Sequence, residues 1–553
     1  MSISLDSTVR RRQWLAVFVA SAYLISPLLI HGWRNVRSPS LDLLFVFQLV
    51  TSLLWIALLH LVVRRPIGLH LLLAPLYLTT TIDLFLVATF GARLSSGYVT
   101  IALTDYGDTG ELMSTYTGSL VAAALVLLLV YSACLLGMRG LRKQRSARWA
   151  IAVAILLASV YAGAIGRDLK EDQTVKQAVL DVIGKELSSP VGALFQGGLA
   201  LHIHAQANKF RQARERHSFG ASKAPSQDGE IYVWVIGESS RPANWSLFGY
   251  GRDTTPLLRA MPGIVALPDM LTTAPHTSIA VTSMLSSRPI TDLQSVLATK
   301  SIVEAFNEVG FKTYWLSAQP ADSWAGNVPQ VAADAKRRRY FDSGNDGAML
   351  EELRTILGNA ARQDKLLIVL HTKGSHFDYA RRYPPEFARF KSSGQTRRER
   401  LLDAYDNSIL YTDWFLSEVI RTTSGAGGHA ALIYASDHGE NLLDDDQQLL
   451  GHALGTPHDL HTAAFVWLSD KLARSHPQHV KALQANAAAS LSLSNLPHSL
   501  LDLAGIQTKE LDLGQSIFSS RFVAMPRHYL VRGELRAEPP CPSRRPLECV
   551  SSR

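Results

Sequence analysis

Five apolar runs, each long enough to cross a lipid bilayer, fill the first 165 residues, at 14–33, 41–63, 67–91, 118–137 and 149–165. A helix of roughly 20 apolar residues spans the hydrocarbon core. This part of the chain is therefore expected to form five transmembrane helices. Arg10, Arg11 and Arg12 precede the first run, which passes through Ala20-Ser21-Ala22, a layout shared with signal peptides. The run nevertheless stays apolar through Ile30 with no clear cleavage site. Either reading leaves the orientation of the later segments unchanged.

The loops carry charge asymmetrically. Arg10–Arg12, Arg64, Arg65, Arg139, Arg142, Lys143, Arg145 and Arg148 fall on one side, ten cations in all, against Arg34, Arg37 and Arg93 on the other. Lys and Arg accumulate on the cytoplasmic side, so the N-terminus is expected inside and everything after residue 166 outside, in the periplasm. The net charge of +8 has the same origin. Through residue 165, 13 Lys and Arg stand against six acids, which leaves the remainder of the chain at +1. A basic balance confined to membrane loops argues against a nucleic-acid partner. Three cysteines allow at most one internal bridge, so disulfides do not hold the fold together.

Residues 167–230 are mixed. Helical patterns at 174–187 and 191–214 suit a helix on the membrane surface or one packed on a soluble domain, and the polar stretch 220–229 reads as a linker. From residue 231 the pattern is that of an α/β enzyme with no internal repeat. Short apolar runs at 231–236, 311–317, 366–370, 430–435 and 463–468 do not alternate, as expected for buried parallel strands. Three of these runs end in polar residues: Gly237-Glu238-Ser239-Ser240-Arg241, His371-Thr372-Lys373-Gly374-Ser375-His376 and Ser436-Asp437-His438-Gly439-Glu440. Carboxyl ends of such strands are where α/β sheets place ligands. Carboxylates and an imidazole suit zinc, so Glu238, Asp437 and His438 are candidate ligands, with His376 and His452 as further candidates.

These motifs, with Asn244, Gly249-Tyr250, Arg252-Asp253-Thr254, Pro256 and Ala404-Tyr405-Asp406-Asn407, resemble the membrane-bound phosphoethanolamine transferases of the alkaline phosphatase and sulfatase superfamily. The resemblance covers nearly the whole chain. It implies a five-helix membrane domain at 1–166, interfacial helices and linker at 167–230, and a sulfatase-like periplasmic catalytic domain at 231–553. It implies a monomer of the inner membrane that takes phosphoethanolamine from phosphatidylethanolamine, a membrane lipid, and transfers it to lipopolysaccharide.

Counting 39 residues from Glu238, as in the family, lands on Thr277 as nucleophile, with Ser278 as its competitor. By the resemblance, Glu238, Thr277, Asp437 and His438 hold one zinc ion. His376 could bind a second ion, contact phosphate oxygens or act in proton transfer, and His452 has a similar downstream role, with His458 and His461 as rivals. Asn244, Ser278 and Glu111, the last in the outer loop 104–116, complete the substrate-binding set. A threonine hydroxyl is a poor nucleophile near neutrality, and no serine-hydrolase elbow is present to activate it; zinc would supply that activation.

Departures from the lipid A branch narrow the resemblance. The cysteine pair that brackets the nucleophile there is replaced by Thr273 and Ser283, only Cys541 and Cys549 could bridge, and a lysine near the donor phosphate falls at Ser323 or Trp324. The segment from His371 through Tyr379 and Arg382-Tyr383-Pro384 looks more like the branch acting on lipopolysaccharide core sugars. Alternatives are a membrane-anchored sulfatase or phosphodiesterase, or a phosphoglycerol transferase, using the same metal site. Lys336–Arg339 reads as a solvated face, Asp444-Asp445-Asp446 as a flexible surface loop, and Asp83 as a structural hydrogen-bond partner within the third run.

Overall fold

The structure, a computed structural model, describes residues 2–35, 43–90, 93–94, 113, 116–141, 146–169, 210, 212–226, 228–319, 328–341, 345–392, 396–444, 448–531 and 533–538. Glu111, Ser323, Trp324, Cys541, Cys549 and nearly all of the helical patterns at 174–214 lie outside the described residues. The chain divides into two compact units that part near residue 205.

The N-terminal unit is helical: α1 (Ser2–Asn35), α2 (Leu43–Val62), α3 (Pro66–Leu72), α4 (Ala74–Phe90), α5 (Thr117–Gly137) and α6 (Ala147–Leu169). Among the described residues, four helices are long and apolar enough to span a membrane, and α3 with α4 makes a fifth span if counted together, bent by 61°. The bend falls at Pro75 in the first turn of α4, which has no N–H to continue the α3 ladder. Helix α1 packs against α4 and α5, and α2 against α6. Large apolar side chains such as Phe18, Leu129 and Trp149 stay exposed on the outside, as expected where the surroundings are lipid. Asp83 is satisfied within the protein, accepting Arg93 Nη2 at 2.7 Å and Leu94 N at 2.7 Å.

The second unit is built on a seven-stranded sheet of β1 (Glu230–Gly237), β2 (Ile264–Ala266), β3 (Lys312–Ser317), β4 (Arg337–Tyr340), β5 (Lys365–His371), β6 (His429–Ser436) and β7 (Ala464–Leu468). The spatial order is β2-β7-β6-β1-β5-β3-β4. Strands β6, β1, β5, β3 and β4 run parallel. The run at 463–468 departs from expectation, because β7 is antiparallel to both β6 and β2. An apolar run without alternation reports burial on both faces, not strand direction. Along β1, Tyr232, Trp234 and Ile236 enter one core and Ile231, Val233 and Val235 the other, as the pleat requires. Helix α7 (Thr277–Met284) adds Val281 and Met284 to the first core. Helix α8 (Arg397–Gly425), started by a Thr396–Glu399 capping box, adds Ile409, Phe415 and Leu416 to the second.

Of three milder expectations, the solvated face at 336–339 is met and the other two are modified. The segment expected as a linker is tied down at Ser222–Lys223, which pairs antiparallel with Ile506–Gln507 because Glu308 also takes the amides of Phe219 and Ala221. Of the Asp444-Asp445-Asp446 segment, Asp445 and Asp446 lie outside the described residues, while Asp444 is held by Arg241 at 2.6 Å, a partner that outweighs burial to lower its carboxyl to about 2. Arg337–Arg339 are exposed on the edge strand β4, where charge discourages pairing with another sheet.

Candidate metal centre

Strand register assembles the site. Gly237 of β1 lies opposite Ser436 of β6, and Ile236 opposite His371 of β5, so the three polar segments leave adjacent strands at one edge. Immediately after β1 the chain turns sharply at Ser239, whose φ of 54° is unusual for a residue with a Cβ. That turn directs Ser239 Oγ onto Glu238 Oε1 at 2.7 Å and brings Ser239 N to Asp437 Oδ1 at 3.2 Å. Gly374, at φ 48°, packs directly on the Glu238 backbone; a Cβ there would lie 2.8 Å from Glu238 O and 3.0 Å from its N.

Around Glu238 the other groups close in. His438 Nε2 lies 3.3 Å from Glu238 Oε1 and 3.4 Å from Asp437 Oδ2, while Nδ1 is 2.8 Å from Gly439 O. Thr277 Oγ1 donates to Glu238 Oε2 at 3.0 Å and stands 3.4 Å from His438 Nε2. Thr277 is the first residue of α7, where backbone amides lack helical acceptors and the dipole favours negative charge. Ser278, its neighbour, gives its carbonyl to Thr282 Oγ1 at 2.7 Å. Behind this loop Thr273 and Ser283 share a hydrogen bond between their hydroxyls.

A cation suits this group. One atom each from Glu238, Asp437 and His438 lies within 4.8 Å of the others. Asp437 Oδ1 takes two backbone amides, but its buried Oδ2 has no hydrogen-bond donor, and no Lys or Arg pairs with it among the described residues. Burial raises the Asp437 carboxyl to about 6, and burial together with the neighbouring His452, His376 and His276 holds the His438 imidazole well below its usual range. Two carboxylates and a neutral imidazole closed off from water form a donor set for a borderline divalent ion such as zinc.

A second group adjoins the first. His438, Glu440 and His452 also approach within 4.8 Å, with the His438 and His452 rings 4.2 Å apart. Glu440 accepts Tyr379 Oη at 2.8 Å and lies 2.9 Å from His452 Nδ1. Burial would lower His452, but the Glu440 carboxylate prevails and raises it. The His376 ring is 6.0 Å from that of His452. Of the rival histidines, His461 turns instead to Asp269, at 3.6 Å. Asn244 is buried in a different network, accepting Arg241 Nε at 2.7 Å and donating to Asp406 at 2.6 Å, so it does not present its amide to this group. The sequence reading gave no role to His276, Tyr379, Glu440 or Asp346, although Tyr379 and Glu440 lie within its motifs. His276 had a local signal, since it directly precedes Thr277, and burial lowers it to about 4.

Comparison with known proteins gives the family and the fold. The sulfatase family model matches residues 230–506. The chain is 31% identical over 272 residues to Kdo(2)-lipid A phosphoethanolamine 7''-transferase of Escherichia coli K12, covering 45% of this chain and 46% of that protein. It spans about half the length of the first curated relatives it matches. In fold it is similar to the integral membrane lipooligosaccharide phosphoethanolamine transferase A (EptA) of Neisseria meningitidis, with TM-score 0.67 and 19% identity over 91% of this chain and 97% of that one. It is also similar to the periplasmic domain of E. coli EptC in complex with zinc, with TM-score 0.53 and 24% identity over 57% of this chain and 95% of that one.

Proposed function

This chain belongs to the sulfatase family, and on that premise we propose that it transfers phosphoethanolamine from phosphatidylethanolamine to lipopolysaccharide at the periplasmic face of a bacterial inner membrane. The observation that carries this reading is Thr277 Oγ1, set 3.0 Å from Glu238 Oε2 and 3.4 Å from His438 Nε2 at a helix N-terminus. Glu238, Thr277, Asp437 and His438 would hold zinc. Bound there, zinc supplies a positive field that acidifies the threonine hydroxyl and offsets charge on the phosphoryl oxygens.

Thr277 Oγ1 attacks the donor phosphorus, its proton passes to the departing side, and the bond from phosphorus to the glycerol oxygen breaks. Diacylglycerol leaves, and phosphoethanolamine remains esterified to Thr277. A hydroxyl or phosphate of the acceptor then displaces Thr277, which regains a proton. His376 and His452, their rings 6.0 Å apart, serve the phosphate oxygens or the proton transfers. The α7 amides face the charge that develops. A Kdo-bearing acceptor is favoured, supported by the activity for which the E. coli relative is named.

Mass spectrometry of lipopolysaccharide tests the reading in a host stripped of its own phosphoethanolamine transferases. The wild-type chain and Ser278→Ala should add a phosphoethanolamine increment, whereas Thr277→Ala should lower transfer by roughly 10⁴-fold or more. No increment from the wild type overturns the proposed reaction, and an increment that survives Thr277→Ala moves the nucleophile to Ser278.

A further inference from the structure

A buried carboxylate is costly unless hydrogen bonds satisfy it. Asp346, 2% exposed, is such a group, and the transfer chemistry does not use it. It stands just ahead of the helix Met349–Gly358, and burial raises its carboxyl to about 6. Asp346 Oδ1 accepts Lys373 N at 2.7 Å, and Oδ2 accepts Gly374 N at 3.0 Å. Both amides belong to the loop that leaves β5. The next residue, Ser375, donates its amide to Glu238 O at 3.0 Å, and Gly374 is the glycine that packs on the Glu238 backbone. The same loop ends at His376. Two consecutive amides, that of half-buried Lys373 and that of buried, left-handed Gly374, need acceptors, and Asp346 provides both.

We propose that Asp346 is a positioning residue for the metal centre: its two bonds hold the 373–376 turn against Glu238, and so set where the Glu238 carboxylate and the His376 ring stand, without contact with ion or substrate. This rests on the reading of Glu238 as a zinc ligand. A matched comparison exists elsewhere in the same unit. Asp413 is likewise fully buried and takes two consecutive amides, Leu257 N at 3.0 Å and Leu258 N at 2.9 Å, but on an element that supplies no residue to the site.

The test measures zinc affinity of the full chain in detergent by competition with a chelator, alongside thermal unfolding. Supporting groups of this kind change metal affinity by roughly 10–100-fold, so Asp346→Ala should weaken zinc by that order. Asp346→Asn, which keeps one acceptor and is the milder change to the fold, should fall between it and the wild type. Asp413→Ala should lower the unfolding temperature and leave zinc affinity unchanged. The proposal is overturned if both Asp346 variants bind zinc like the wild type, or if Asp413→Ala weakens zinc equally. A wild-type chain that binds no zinc overturns the underlying ligand assignment as well, a result distinct from the other two.

Discussion

Gly374 shows how closely the backbone is drawn around Glu238. Any Cβ there meets Glu238 O at 2.8 Å, and φ of 48° adds the strain of the left-handed region. Gly374→Ala is expected to cost about 1–2 kcal/mol from backbone strain alone. It should also lower transfer by on the order of 10²-fold, the usual effect of moving a reacting group by about 1 Å; thermal unfolding and turnover measured on one preparation separate the two effects. Asp413 supports a prediction about pH. Burial raises its carboxyl to about 7, so between the ordinary carboxylate range and neutrality the native chain keeps a proton that the unfolded chain has released. Stability from this group is complete at low pH and is lost as pH rises through 7. Asp413→Asn does not ionise, and its unfolding temperature should fall less between pH 5 and 8 than that of the wild type.

Two antiparallel strands at the C-terminal end, β8 (Arg527–Val531) and β9 (Glu534–Glu538), form an element that braces the loops bearing the chemistry. Arg527, buried, donates to Asp269 Oδ1 at 2.5 Å, and Asp269 Oδ2 accepts Ser490 Oγ at 2.7 Å. Leu530 N bonds Thr273 O at 2.8 Å, four residues before Thr277. Gly455, three residues after His452, packs on Val531, where a Cβ would come within 2.6 Å. Ala453 N in turn bonds Pro275 O at 2.8 Å. Removing one member of a buried ion pair costs about 3–5 kcal/mol, whereas replacing both with apolar groups is often neutral. Arg527→Met should therefore lower both stability and transfer, and Arg527→Met with Asp269→Leu should regain most of the stability in denaturant titrations.

At the scale of the whole chain, the loop arginines and the near-neutral remainder predict orientation. In a background without native cysteines, a cysteine at Ser226 should react with a membrane-impermeant maleimide once the outer membrane is opened. One at Gly140 should react only after the inner membrane is breached. Labelling in the reverse pattern would place the catalytic unit in the cytoplasm and remove the proposed donor leaflet. The apolar exterior of α1, α2, α5 and α6 and the buried central strands of the second unit's sheet are answers to two solvents within one polypeptide.

Several features were legible in residues alone. Apolar runs of spanning length, loop arginines and strand-like runs ending in Glu238, His371 and Asp437 are local solvation and bonding preferences, carried by neighbours in sequence. Thr277 emerged from a resemblance and a spacing, and the fold sets its hydroxyl beside Glu238. The direction of β7 was not legible, because a strand buried on both faces has the same composition whichever way it runs. Nor were Asp346, Glu440 beneath His452, the Arg241–Asp444 pair or the Arg527–Asp269 brace. Each looks like an ordinary surface charge until the fold brings its partner to it, from 258 positions away in the last case. Sequence alone determined which segments avoid water and which residue types could bind a cation. Tertiary structure decided which polar groups stand within a few ångströms of one another, because that depends on the path of the whole chain and on close packing that no local pattern encodes.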